Sequence, residues 1–211
     1  MGENGSGKTT LSKVIAGIYQ PEKGHVLYDG IDACSYSRDS FYRKLSVIQQ
    51  NFVKYQFTMW ENIGISLPSQ IHNDQRLMKG ARAGIEPIVR RVGGLDAQLG
   101  REYNGAELSG GEWQKMAIAR GLNRDGELII LDEPTSALDP LVEYDILTKF
   151  LELTKGKTSV IISRRIGLGR FADRILVMKG GRLVQSGTHE ELLASGGEYS
   201  RMWHEQAKWY E

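Results

Sequence analysis

Gly2-Glu3-Asn4-Gly5-Ser6-Gly7-Lys8-Thr9 sets a lysine and a hydroxyl directly after a run punctuated by glycine. Every position fits G-x-x-x-x-G-K-[ST], a pattern with a physical basis. The glycines let the backbone curl so that its N–H groups point inward at phosphate oxygens. A helix starting near Lys8 adds its positive N-terminal end to the same spot. Lys8 can then reach the β- and γ-phosphates, the Thr9 hydroxyl can ligate Mg²⁺, and Thr10 is placed to touch a further phosphate. The chemistry on offer is the binding and transfer of phosphoryl groups. A glycine-rich turn that matches by chance is the plain alternative, and the apolar helix that follows argues against it.

Three more groups carry chemistry. Ser109-Gly110-Gly111-Glu112, after Leu108, sets a serine and two glycines at a helix start, a second anion site of exposed N–H groups. A bare helix cap is its bland reading. The apolar run 128–131 ends in Asp132-Glu133, acids at the C-terminal end of a buried parallel strand. Such a pair is commonly surface charge. Gln49-Gln50 closes the apolar run 45–48 and by itself reads as an ordinary strand end.

These residues need a scaffold, and the pattern supplies one. Leu11, Val14, Ile15 and Ile18 share one face of a helix over 8–18. Residues 25–28 read as a short strand closed by the Asp29-Gly30 turn. From 60 to about 92 the chain is more polar and mostly helical, with Pro68 and Pro87 as boundaries, and reads as an inserted helical subdomain. Helices follow over 112–122 and 140–153, the latter with proline in its first turn. Residues 159–162 form a strand, 175–178 and 182–185 a hairpin about Gly180-Gly181, and 190–193 and 198–209 two last helices. Strands alternating with helices predict an α/β sheet.

Leu108-Ser109-Gly110-Gly111-Glu112 resembles the signature sequence of ABC proteins, which other phosphate-loop classes lack. The chain as a whole is similar to the nucleotide-binding domain of ABC transporters, with the motifs in that family's order. The resemblance implies a single P-loop NTPase domain of the ABC type over 1–211, carrying a helical subdomain at about 60–122. It implies that two cassettes pair head to tail, with Ser109, Gly110 and Gly111 capping the γ-phosphate held by the partner's loop. Asp132 would hold Mg²⁺, partly through water. Glu133 would polarise the attacking water as general base. Pro134 to Asp139 resembles the D-loop, with Asp139 coupling the two sites. Val47-Ile48-Gln49-Gln50-Asn51 resembles the Q-loop, and alignment on Phe52 favours Gln50 as the residue contacting Mg²⁺ and water. The whole loop, Gly2, Glu3, Asn4, Gly5, Ser6, Gly7, Lys8, Thr9 and Thr10, would hold ATP. Residues 52–63, 99–102 and 180–192 are similar to exporter-type cassettes. Those work with a transmembrane domain at the cytoplasmic face of the cell membrane.

Two departures qualify that expectation. After the run 160–162 and Ser163, the family's switch histidine is replaced by Arg164, followed by Arg165. Histidine can donate and accept near neutral pH, whereas arginine is permanently charged and only donates, although its fork can grip phosphate. Losing one preorganised donor typically costs ~10²–10³ in kcat, so the expectation is retained binding with impaired hydrolysis. Secondly, only Met1 precedes the phosphate loop, which normally follows a strand. The sequence therefore reads as truncated at its N-terminus, poorly stable alone, and without the family's adenine-stacking aromatic residue. Trp113, Trp203 and Trp209 read as packing residues rather than replacements for it.

Composition narrows the partners. A net charge of +1 over 211 residues provides no basic field for nucleic acid. Cys34 is the only cysteine, so neither an internal disulfide nor a cysteine metal cluster forms. No apolar run approaches bilayer-spanning length. Three other readings stay open at this point: a degenerate regulatory cassette that binds ATP with weak hydrolysis, a soluble ABC protein, and an inert fragment.

Overall fold

Glycine, proline and helix caps set the boundaries of the elements. The computed structural model describes residues 1–71, 84–124, 126–133 and 140–207. In chain order the helices are α1 (Lys8–Ile15), α2 (Arg38–Lys44), α3 (Met59–Gly64), α4 (Glu86–Val92), α5 (Gly110–Asn123), α6 (Pro140–Leu153), α7 (His189–Ala194) and α8 (Glu198–Ala207). The strands are β1 (Leu27–Tyr28), β2 (Ile31–Asp32), β3 (Leu45–Ile48), β4 (Leu128–Asp132), β5 (Thr158–Ile162), β6 (Ile175–Lys179) and β7 (Arg182–Gly187). Two compact units contain them, Met1–Ile31 with Ile161–Glu211, and Asp32–Val160.

In the first unit, β6 and β7 pair antiparallel from Ile175↔Gly187 to Lys179↔Arg182, closed by the two-residue Gly180-Gly181 turn. The backbone of Met1 runs beside β6: its N–H group donates to the Leu176 carbonyl at 2.6 Å, and its carbonyl accepts from the Met178 N–H at 2.9 Å. The core gathers Ile166, Ile175, Val177, Leu192, Tyr199 and Met202, so α7 and α8 bury their apolar stripes here. Removing such side chains from water is the main source of stability, at roughly 1.5–3 kcal/mol for each large one. Helix α1 is shorter than the apolar spacing predicts, because Gly17 adopts a left-handed φ of 67° and Ile18 lies beyond it.

The second unit is organised around parallel β3 and β4, in register from Leu45↔Leu128 to Ile48↔Leu131, within the strand order β3-β4-β5. Ile129, Ile130 and Leu131 are fully buried, as the continuous apolar run predicts for a strand covered on both faces. Helix α5 lies on β3, with Gly121 directly over the Ile48 side chain. Helix α3 packs against α5. Capping boxes start α3 (Thr58 with Glu61), α5 (Ser109 with Glu112) and, in the first unit, α7 (Thr188 with Glu191). Helix α2 and strand β2 carry no strong pattern and were not predicted. Of the expected helical stretch from 60 to 92, α3, a 3-10 turn at Pro68–Gln70 and α4 are described. The remainder includes residues outside the described set.

Candidate functional site

The phosphate loop belongs to the first unit and folds around its own lysine. Gly7 caps α1 with a left-handed φ of 97°, a conformation that reserves the position for glycine. This aims the start of α1 at the space enclosed by residues 2–7. Lys8 is buried at 8% exposure, and its Nζ donates to the Gly2 and Glu3 carbonyls at 2.8 Å each. A Cβ on Gly2 would collide with the Met178 carbonyl, so the loop lies hard against β6. The Ser6 carbonyl accepts from the Gly181 N–H at 3.1 Å, fixing the loop to the hairpin turn as well. Thr9 and Thr10 begin the helix with exposed side chains.

Whether this loop fits a nucleotide and a metal can be tested on its own atoms. Ser6 Oγ is buried and has no hydrogen-bond partner, a polar atom at the centre of the loop left to bond something else. The lysine ammonium, the helix start and the exposed Thr9 hydroxyl form a donor set suited to polyphosphate with a hard, oxygen-seeking cation. The residues fit both groups.

Arg164 lies in the same unit, just past β5. Its side chain is exposed, and its carbonyl accepts from Gln206 Nε2 at 2.6 Å. The next N–H, of Arg165, donates to Ser163 Oγ at 2.9 Å and turns the chain. Sequence reasoning did not find Gln206. A polar residue ending an otherwise apolar helix stripe was its only signal.

The second unit holds the remaining residues. Ile48 and Leu131 are register partners, so Gln50, Asp132 and Glu133 emerge at the same end of two adjacent strands. Asp132 is 8% exposed, whereas Gln50 is exposed. Glu133 takes a left-handed φ of 41°, which costs a non-glycine residue about 1–2 kcal/mol. Such strain concentrates where a side chain must be aimed.

The segment after Gln50 is tied down by Arg120 of α5, which donates to the Asn62 carbonyl (2.8 Å), Asn62 Oδ1 (2.9 Å) and the Val53 carbonyl (3.0 Å). Its guanidinium also lies over the Tyr55 ring, 4.6 Å from the centroid. Asn62, fully buried, returns Nδ2 bonds to the Tyr55 and Thr58 carbonyls, both at 3.0 Å.

At the other end of α5, Ser109 and Gly110 are exposed while Leu108 is buried beneath them. Ser109 Oγ accepts from the Glu112 N–H, and Glu112 Oε2 accepts from the Ser109 N–H at 2.8 Å. Burial pushes the Glu112 carboxyl up, but this bond and the Arg91 guanidinium at 2.8 Å outweigh it and hold the carboxyl below its ordinary range. The helix start is thus preformed. Trp113 is buried and Trp203 half-buried, as expected of packing residues. Asp139, the D-loop and Trp209 lie outside the described residues.

The family model described as ABC transporter matches residues 1–136, which include the phosphate loop, Gln50, the Ser109–Gly111 run and Asp132-Glu133. The chain is 38% identical over 205 residues to the subtilin transport ATP-binding protein SpaT of Bacillus subtilis, covering 96% of this chain and 33% of that protein. It is 36% identical to an ATP-dependent lipid A-core flippase of Francisella tularensis, covering 96% of this chain and 33% of the flippase. A solved bacterial Atm1-family ABC exporter with ATP bound superposes with a TM-score of 0.87 at 32% identity, over 98% of this chain and 36% of that one. The chain therefore spans about a third of the length of these relatives. By its family match, its exporter-type relatives and its P-loop NTPase fold, the chain belongs to the ABC transporter family as an ATP-binding cassette.

Proposed function

We propose that this chain binds and hydrolyses ATP with Mg²⁺, as cassettes of its family do, and that the energy drives export through a transmembrane partner at the cytoplasmic face of the membrane. The observation that carries the reading is the phosphate loop: a lysine held by its own loop carbonyls, a buried unpartnered serine hydroxyl and a glycine-capped helix start at one point.

In this reading Gly2–Thr10 cradle the phosphates, and Lys8 leaves its carbonyl partners to meet the β- and γ-oxygens. Thr9 and Asp132, with Gln50, would hold Mg²⁺, which supplies charge neutralisation at the transferring phosphoryl group. Glu133 accepts the proton of the attacking water. Ser109, Gly110 and Gly111, with Asp139, serve the site of a second cassette packed head to tail. That second cassette is a copy of this chain or a related subunit. The helical subdomain at about 60–122 presents the Ser109 run, and the Arg120-braced segment after Gln50 is where a membrane partner would press. Among the described residues no helix is long and apolar enough to cross a membrane.

A second reading is favoured by the exposed Arg164: a cassette that clamps ATP and turns it over slowly. One experiment addresses both. In the assembled transporter, Glu133→Gln is expected to abolish hydrolysis while ATP binding persists. Arg164→His is expected to raise turnover if the arginine clamps. Undiminished hydrolysis in Glu133→Gln would overturn the assignment of the base. An unchanged rate in Arg164→His would remove the clamp reading.

A further inference from the structure

Helix α8 meets two loops of its own unit, and at both it meets the stretch assigned above to phosphate. Tyr199, Met202 and Gln206 fall at i, i+3 and i+7, one stripe of the helix. The first two are buried in the core. The third is polar where the stripe would otherwise continue apolar, and both ends of its amide are engaged. Nε2 donates to the Arg164 carbonyl at 2.6 Å, and Oε1 accepts from the Ile166 N–H at 3.0 Å. With the Arg165 N–H on Ser163 Oγ, the backbone is bonded at three consecutive residues, while the Arg164 side chain projects outward. One turn and a half earlier, Arg201 pairs with Glu3 of the phosphate loop at 2.6 Å. The helix is itself anchored: the Tyr199 N–H donates to Gln185 Oε1 at 2.9 Å, and Glu198 pairs with Lys179 at 2.8 Å.

We propose that Gln206 is a positioning residue that fixes where the Arg164 guanidinium stands, with α8 as a common anchor for the switch segment and the phosphate loop. This rests on the reading above that Arg164 clamps ATP, through the γ-phosphate that sets ATP apart from ADP. A side chain with three or more free torsions reaches a target reproducibly only if its backbone is held. Satisfying two backbone groups is the structural role any hydrogen-bonding residue could fill there. A positioning role differs in one measurable way: its loss must act through Arg164, and therefore on ATP and not on ADP.

The test is binding of ATP and of ADP to the assembled transporter, made hydrolysis-deficient by Glu133→Gln. To this background are added Gln206→Leu, Arg164→Ala, or both. Gln206→Leu is expected to weaken ATP about tenfold, the loss of one charge-assisted contact, with ADP unchanged. Arg164→Ala is expected to do the same, and the double variant no more than either single one. Gln206→Glu keeps the acceptor for Ile166 and replaces the donor to Arg164 by a carboxylate oxygen that repels the Arg164 carbonyl. It is expected to reproduce the selective loss, and it keeps the test readable should the leucine variant not fold. If Arg164→Ala leaves the preference for ATP over ADP intact, the γ-phosphate reading of Arg164 fails. If Arg164→Ala lowers that preference but the Gln206 variants do not, the positioning role alone is overturned. It is likewise overturned if the Gln206 variants weaken both nucleotides equally, or if their losses add to that of Arg164→Ala.

Discussion

Replacing Lys8 by methionine isolates the phosphate loop more cleanly than any other change. Methionine keeps nearly the length and volume of the side chain but removes the charge and both hydrogen bonds of the lysine ammonium. In the free cassette the ammonium is buried and bonded to the Gly2 and Glu3 carbonyls at 2.8 Å each. Hydrogen bonds from a charged group contribute about 1.5–3 kcal/mol apiece, so the pair sums to roughly 3–6 kcal/mol. Against this stands the desolvation of the ammonium, several kcal/mol for a buried ion. The two are of like size, so folding stability should change by only about 1–2 kcal/mol, or about 2–8 °C in Tm for a chain of this length. Nucleotide binding has no such offset, because the polyphosphate loses its cation outright. ATP at a hundred times its Kd stabilises the protein by about 2.7 kcal/mol, which corresponds to roughly 5–11 °C. The assay is thermal denaturation with and without Mg²⁺ and ATP at fixed protein concentration. The parent protein should show that rise and Lys8→Met should show almost none. A variant that melts near the parent temperature yet keeps the full rise would refute the reasoning.

Two further outcomes are expected. Gly121→Ala gains about 1 kcal/mol of helix propensity but drives a Cβ into the stiff, branched Ile48 side chain, an overpacking worth about 1–3 kcal/mol. Denaturant midpoints should therefore fall, and a stabilised variant would sink the packing account of α5 on β3. The Glu198 carboxyl is held down to about 2 from its ordinary 4.5, first by the Arg201 hydrogen bond and then by Lys179. Because the folded value is depressed, this contribution is fully present above pH 4.5 and is lost as pH falls towards 2. Glu198→Gln should accordingly melt with a shallower pH dependence across that window, and parallel curves for parent and variant would count against it.

The hairpin about Gly180-Gly181 and the buried run ending in Asp132 were legible because each is a local rule. A hairpin needs two strand-like runs about a glycine pair, and a buried strand needs only an unbroken apolar run. The phosphate loop is the extreme case: eight consecutive residues carry both the backbone freedom and the charge. Where local signals conflicted, the reading erred by a few residues, as at α1, where Gly17 ended a helix whose apolar spacing continued to Ile18. Helix α2 went unseen because its short polar sequence has no apolar stripe to reveal it.

What the sequence determined by itself was therefore the chemistry on offer: a phosphate loop, an anion-ready helix start, and acids at a strand end. Tertiary structure decided which distant groups act on those pieces. The parallel register that brings Gln50 and Glu133 out at the same end of two strands pairs residues far apart in the chain, Ile48 with Leu131, and is set by packing. The grip of Arg120 on Val53 and of Gln206 on Arg164 joins a side chain to a backbone group 67 and 42 residues away, respectively. Any residue offers the same backbone carbonyl, so the partner leaves no mark in the sequence, and only folding reveals it.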